Sequence, residues 1–289
     1  MNRSSRYIAT VAGLALILCA VLPRQLQGQC YPVHPALEED HAFALGERLS
    51  YIIHYKWLGI RTDVGAAEVN LLDGGTRNGR RLLHPVAVGT TYRFWDVFFK
   101  VRDRYESVFY EDSVRPIYFH RDIHEGKYTI QNYFQWDDTT HAIDAQVVRR
   151  SGVRDTLLPG HECTFDVLTL FYNARNMDLE ALEPGVNNPV SFVIDEEIFD
   201  IYFRFIGREE KRVPGLGVFR TLKFAAKVVA GEVFTGEQEM IIWVSDDMNR
   251  VPLLFESPII VGSVFGRLSD WDGLRYPLEE CKVIKNNRK

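Results

Sequence analysis

Asp103 interrupts an otherwise apolar strand face. In FFKVRDRYES, Phe98 to Ser107, a period of two puts Phe99, Val101, Asp103, Tyr105 and Ser107 on one side, and Phe98, Lys100, Arg102, Arg104 and Glu106 on the other. A carboxylate on the drier side has three chemical uses: a catalytic acid, a metal ligand, or half of a buried ion pair. The following segment supplies a partner. Ile117, Phe119, Arg121 and Ile123 share a face that is apolar except for one base. Asp103 and Arg121 are equidistant from Asp112, so a hairpin turning there sets acid opposite base, and a register shift of two leaves them diagonal neighbours. Buried charges survive chiefly in pairs. Asp103 and Arg121 are therefore read as an inward-facing ion pair or, if that face lines a cavity, as the contact for the polar head of a ligand.

Other candidate chemistry is thinner. Glu125 and Arg175 are further polar contacts, and Glu125 with Asp103 would be the acid pair of a glycosidase if the two flanked a cleft at a fixed separation. His120, Asp122 and His124 alternate along one strand face and read as an exposed polar stripe rather than converging metal ligands. Asp246 and Asp247 read as turn formers, so no metal site is assigned. GxSxG, Walker, GxGxxG and HExxH patterns are absent, and neither a catalytic residue nor a cofactor follows from the sequence.

The elements that must hold these residues are mostly strands. Leu49, Tyr51, Ile53, Tyr55 and Trp57 alternate with polar residues; Asp73-Gly74-Gly75 and Asn78-Gly79 carry hairpin chemistry; Tyr128 to Trp136 and Phe199 to Phe205 alternate again. One helix is predicted over about 164–176, with Phe165, Leu168, Phe171 and Tyr172 as its stripe, Asp166 near its start and Arg175 near its end. The expected fold is all-β: an antiparallel curved sheet or wide flattened barrel in one domain, 29–289, with the helix over an end or edge. Two packed sandwiches are the alternative.

Residues 1–28 read as a signal peptide: Arg3 and Arg6, an apolar run from Ile8 to Leu22, and a small residue, Gly28, for cleavage. No later segment is long and apolar enough for a spanning helix. Removing Arg3, Arg6 and Arg24 from the 34 basic residues leaves the 39 acidic ones in excess by eight, the wrong balance for nucleic acid or, by bulk charge, for an anionic membrane. Cys30, Cys163 and Cys281 remain; an oxidising compartment would pair two of them, and spacing leaves all three pairings open.

The strings FALGERLSYIIHYKWLGI, DVFFKVRDRYES, RPIYFHRDIHEGKY, CTFDVLTLFYNAR, IWVSDDMNRVPLLFE and VGSVFGRL run in order along the chain. Together they resemble an exported bacterial family, common in Bacteroidota, known as domain of unknown function 3108. The resemblance implies export, a β-rich fold and an envelope role in the periplasm or on the outer face. It transfers no catalytic residue, and it favours Cys30 with Cys163 as the disulfide, Cys281 being the departure. With 18 Phe, 13 Tyr and 5 Trp, the expected function is a non-enzymatic envelope protein binding a lipid, glycolipid or other apolar ligand. An interaction or assembly module with an envelope protein partner and a hydrolase of envelope glycans are the alternatives.

Overall fold

Alternation of apolar and polar residues becomes strand almost throughout. The computed structural model describes residues 41–57, 60–227, 239–259 and 262–283; the expected signal segment, 1–28, and Cys30 lie outside them. Fifteen strands form a single sheet. In the first half these are β1 (Arg48–Trp57), β2 (Ile60–Arg77), β3 (Arg80–Thr91), β4 (Arg102–Tyr110), β5 (Arg115–Glu125), β6 (Tyr128–Trp136), β7 (Ile143–Arg149) and β8 (Gly152–Leu158). A short β9 (Thr164–Phe165) and the helix α1 (Val167–Arg175) lead to β10 (Asn187–Ile194), β11 (Glu197–Val213), β12 (Gly217–Lys227), β13 (Glu239–Ser245), β14 (Pro252–Pro258) and β15 (Ser263–Asp272).

Strands neighbour one another in chain order, from β8 back to β1 and then from β15 back to β9. The halves are joined where β1 pairs antiparallel with β15, from Arg48↔Asp272 to Lys56↔Ser263. β9 with β10 is the parallel pairing. The sheet stays open between β8 and β9, yet it curls until its last strands lie on its first. Val193 of β10 sits in one apolar cluster with Phe119, Ile130, Phe134 and Val147 of β5 to β7, and the Trp136 indole donates to the Thr164 carbonyl at 3.2 Å. The result is an open, flattened β-barrel.

The helix fills this barrel rather than covering an edge. Tyr172, fully buried, packs edge-on against Phe43 at 4.9 Å and against Phe109 at 5.7 Å. Leu170 and Ala174 pack into the cluster of β10 to β12, and Phe171 into the one under β1 and β15. Burying one such aromatic side chain contributes about 1.5–3 kcal/mol. The helix is also shorter than predicted. Thr164 and Phe165 are drawn into the sheet opposite Ser191 and Phe192, and Asp166 is the N-cap, accepting from Leu168 N at 2.9 Å and Thr169 N at 3.0 Å.

Local turn chemistry follows the sequence. Asn78 and Gly79 form a two-residue turn with φ of +53° and +78°, the left-handed pair that suits a tight hairpin. Asp73 to Gly75 is a bulge in β2 instead of a turn.

Candidate functional site

Two features share one end of the barrel. The first is a polar cluster on the inner face of β4 to β6. Asp103 and Arg121 are both buried there, 8 % and 7 % exposed, on adjacent antiparallel strands. Their register differs from direct opposition: Tyr105 faces Arg121, so Asp103 lies diagonally. The hairpin is centred between residues 112 and 113 at its closed end, Tyr110↔Arg115, and a bulge at Val108/Phe109 moves the centre to 113 from Val108↔Tyr118 onward. The expected direct ion pair is consequently not the one formed. Arg121 Nη2 contacts Asp195 Oδ1 at 2.5 Å, an acid from the turn between β10 and β11 that folds over this face. Asp103 accepts from His124 N at 3.1 Å and hydrogen-bonds the Glu125 side chain.

Burial holds the Asp103 carboxyl above its ordinary range, while the His124 amide, Glu125 and the Arg121 charge act in the opposite direction. Two carboxyl groups in mutual contact require a proton between them, and they are too close to flank a glycosidic bond, which needs roughly 5 Å or more. Beside them, Arg121 Nε has no hydrogen-bond partner, and neither does either polar atom of Asn132, fully buried and opposite Arg121 on β6. The cluster thus keeps unused donors and an acceptor, suited to a buried water or a small polar group. A cavity of about 350 Å³ at the turn from β7 to β8 is lined by Arg149, Ser151, Gly152, Val153, Arg154 and Glu196, a charged wall unsuited to an acyl chain.

Arg175, expected as a polar contact, is sealed. It is 3 % exposed, and Glu47, 1 % exposed, takes it at both Nη1 (2.5 Å) and Nη2 (2.8 Å). Nη2 also donates to the Ala42 carbonyl and Nε to that of Asn249. Nothing in the sequence around Glu47 distinguishes it from a solvated acid, so this partner was not foreseen. Glu125 is half-buried, in contact with Asp103.

The second feature is the connection between β3 and β4, residues 92–101. Phe99 does not extend the inward face of β4 as the period suggested; with Phe98 it belongs to an exposed tip. Tyr92, Phe94, Val97, Phe98 and Phe99 are 40, 69, 83, 72 and 51 % exposed. They make up five of the thirteen exposed large apolar side chains among the described residues, so the tip is a patch rather than a scatter. The rings stand together, Phe94 to Trp95 at 5.2 Å and Trp95 to Phe98 at 5.8 Å. A polar staple holds the base: Asp96 accepts from Thr91 Oγ1 at 2.5 Å and pairs with Arg102 at 2.6 Å. The Trp95 indole donates to the Asp63 carbonyl at 2.9 Å. A Cβ at Gly126, φ +58°, would meet the Phe99 ring at 3.3 Å, which is why the turn beneath the tip carries glycine.

The remaining candidates have plain structural roles. Asp247 accepts from Ser245 Oγ and from the Asn249 and Arg250 amides, closing the turn from β13 to β14. His120 stacks on Tyr133 at 4.4 Å, and His124 lies 3.4 Å from Asp122. Cys281 is a free, buried thiol whose sulfur donates to the Leu278 carbonyl, and burial pushes it up to about 12.

Comparison with solved structures places the fold. The chain is similar to a β-barrel-like protein of the domain of unknown function DUF1849 from Brucella abortus, at 10 % identity, covering 81 % of this chain and 100 % of that one with a TM-score of 0.50. More distantly it is similar to a candidate exported protein with a YmcC-like fold from Bacteroides fragilis (8 % identity, 84 % and 100 % covered, TM-score 0.34). A candidate lipoprotein from Parabacteroides distasonis is comparable (9 % identity, 81 % and 99 % covered, TM-score 0.35). No curated protein matches the chain. The family model described as protein of unknown function (DUF3108) matches residues 50–269, and with most of its length so matched the chain belongs to that family.

Proposed function

We propose that this chain is a non-enzymatic, exported envelope protein that works by attachment, making its apolar contact through the aromatic tip rather than through an enclosed cavity. The observation that carries this reading is the stapled tip, with side chains such as Val97 at 83 % exposure. A mobile loop could expose aromatic residues by accident. Here Thr91, Asp96 and Arg102 fix the base while the rings face out, at a solvation cost that a soluble protein gains nothing by keeping. The interior argues in the same direction, since α1 and Tyr172 occupy the space that an acyl chain would need.

Export accords with the basic and apolar start of the chain and with a Cys30–Cys163 disulfide. Cys163 is buried, and the family resemblance favours Cys30 as its partner. A loop of that length contributes on the order of 4–5 kcal/mol by chain entropy. Non-reducing peptide mapping should recover the joined peptides; two free thiols would remove this support.

The test of attachment is fractionation of the producing organism. Native protein should sediment with the envelope, and a Phe94→Ser/Val97→Ser/Phe98→Ser variant should move to the soluble fraction with its thermal unfolding unchanged. Equal retention of the two would sink the reading.

A further inference from the structure

The tip's own chemistry selects among partners. Part of its backbone is satisfied within the fold: the Trp95 and Asp96 amides donate to the Tyr92 carbonyl, those of Phe98 and Phe99 to the Trp95 carbonyl, and that of Tyr92 to the Val64 carbonyl. Asp96, the acid in the tip, is neutralised by Arg102. These bonds lower the cost of carrying the ring-bearing turn to the edge of a medium without water, while the amides that remain can meet water or headgroup oxygens at the boundary. A protein partner would ordinarily take about one hydrogen bond per 100–200 Å² of contact, and this surface offers few.

Charge points the same way. The chain carries a net −5, yet the exposed charges within the tip are Arg93 and Lys100, and Lys127 is exposed in the turn beneath Phe99, while the exposed acid beside Trp95, Asp63, contacts His54. The molecule is therefore acidic in bulk and basic around its apolar end, an asymmetry that orients that end toward an anionic surface. Aromatic side chains beside cations are also the composition that settles at a headgroup boundary.

We propose that the partner of the tip is the interface of a phospholipid bilayer. Tyr92, Phe94, Val97, Phe98 and Phe99 enter between headgroups and upper acyl chains, and Arg93, Lys100 and Lys127 lie on the phosphates. The proposal rests on the tip being the attachment face and adds the identity of what it attaches to.

The experiment is flotation of the full protein, purified from its exporting organism, with vesicles of phosphatidylethanolamine and phosphatidylglycerol, 3:1, and with phosphatidylcholine vesicles. The native protein should float with both and more strongly with the anionic ones. Phe94→Ser/Val97→Ser/Phe98→Ser should lower partitioning roughly a hundredfold on either, by loss of apolar burial. Arg93→Gln/Lys100→Gln should lose about fivefold per charge, on the anionic vesicles alone and less so in high salt. A native protein that does not float, or a tip variant that floats equally well, overturns the lipid assignment. If flotation fails while envelope retention in cells still depends on the tip, attachment stands and the partner is a protein. If retention is also independent of the tip, both readings fall.

Discussion

Two arginines are buried among the described residues of this barrel, and they are treated differently. Arg175 spends all three nitrogens on Glu47, Ala42 and Asn249, and it also lies 5.6–5.8 Å from the rings of Phe43, Phe171 and Tyr172. Arg121 makes one contact, to an acid that is itself 34 % exposed, and leaves Nε unpaired beside the unpaired Asn132. The difference teaches which buried charge belongs to the framework. The saturated pair ties α1 to the start of β1 and to the turn before β14. The unsaturated one borders an end that is exposed, polar inside and apolar at its tip.

The comparison breaks first at Glu47. Removing one partner of a buried pair strands the other, so Glu47→Ala should cost roughly 3–5 kcal/mol in denaturant unfolding. Glu47→Leu with Arg175→Met should recover much of that, because no buried charge is left. A cost below about 1 kcal/mol for Glu47→Ala would make Arg175 no more structural than Arg121.

A second buried charge tests α1 itself. Asp166 accepts from two amides and from the hydroxyls of Ser107 and Thr169, and burial pushes its carboxyl up to about 6 in spite of them. Asp166→Ala should cost about 1–2 kcal/mol by loss of the cap. The folded state holds this proton to a higher pH than the unfolded chain does. Its contribution to stability is therefore full below the unfolded value, declines as pH rises, and is gone above about 6. Asp166→Asn, which keeps a capping oxygen, should flatten that decline between pH 4 and 6.

The third effect is smaller. Arg121→Met removes a guanidinium that is only partly paired and replaces it with an apolar chain of similar length beside Ile123 and Ile130. Unfolding should change by less than about 1 kcal/mol, in contrast to Glu47→Ala. A loss near 3 kcal/mol would show that Arg121 is as fully engaged as Arg175.

What could be read in advance follows from which forces are local. Strand periodicity, the Asn78-Gly79 turn and the place of Asp166 at the helix start depend on residues a few positions apart, and they emerged in place; that Asp166 caps the helix is added by the structure. So did the inward face of Asp103 and Arg121. Their partners did not. Asp195 is 74 residues from Arg121, and Glu47 is 128 from Arg175, brought near only by the curl of the sheet. Phe99 misled for the opposite reason: a local period put it on the strand's inward face, while the staple of Thr91, Asp96 and Arg102 sets the strand's end at Arg102 and leaves the ring in the exposed tip.

The smallest effect is the most discriminating, at Asp103. Were it the direct partner of Arg121, its loss would strand a guanidinium. Its contacts are instead the His124 amide and Glu125. Asn in its place can accept from that amide with its oxygen and donate to Glu125 with its nitrogen, and it carries no charge to desolvate. Asp103→Asn should therefore fall within about 1 kcal/mol of the native protein at neutral pH, on the stabilising side. The pH dependence fixes the cause. Because burial raises this carboxyl in the folded state, native stability should fall as pH rises from the unfolded carboxyl's value through the folded one. Asp103→Asn should lack that part of the slope, so the two unfolding curves converge in acid and separate near neutrality. Curves that separate in acid instead, with the variant weaker at neutral pH, would return Asp103 to the role of an ionised partner.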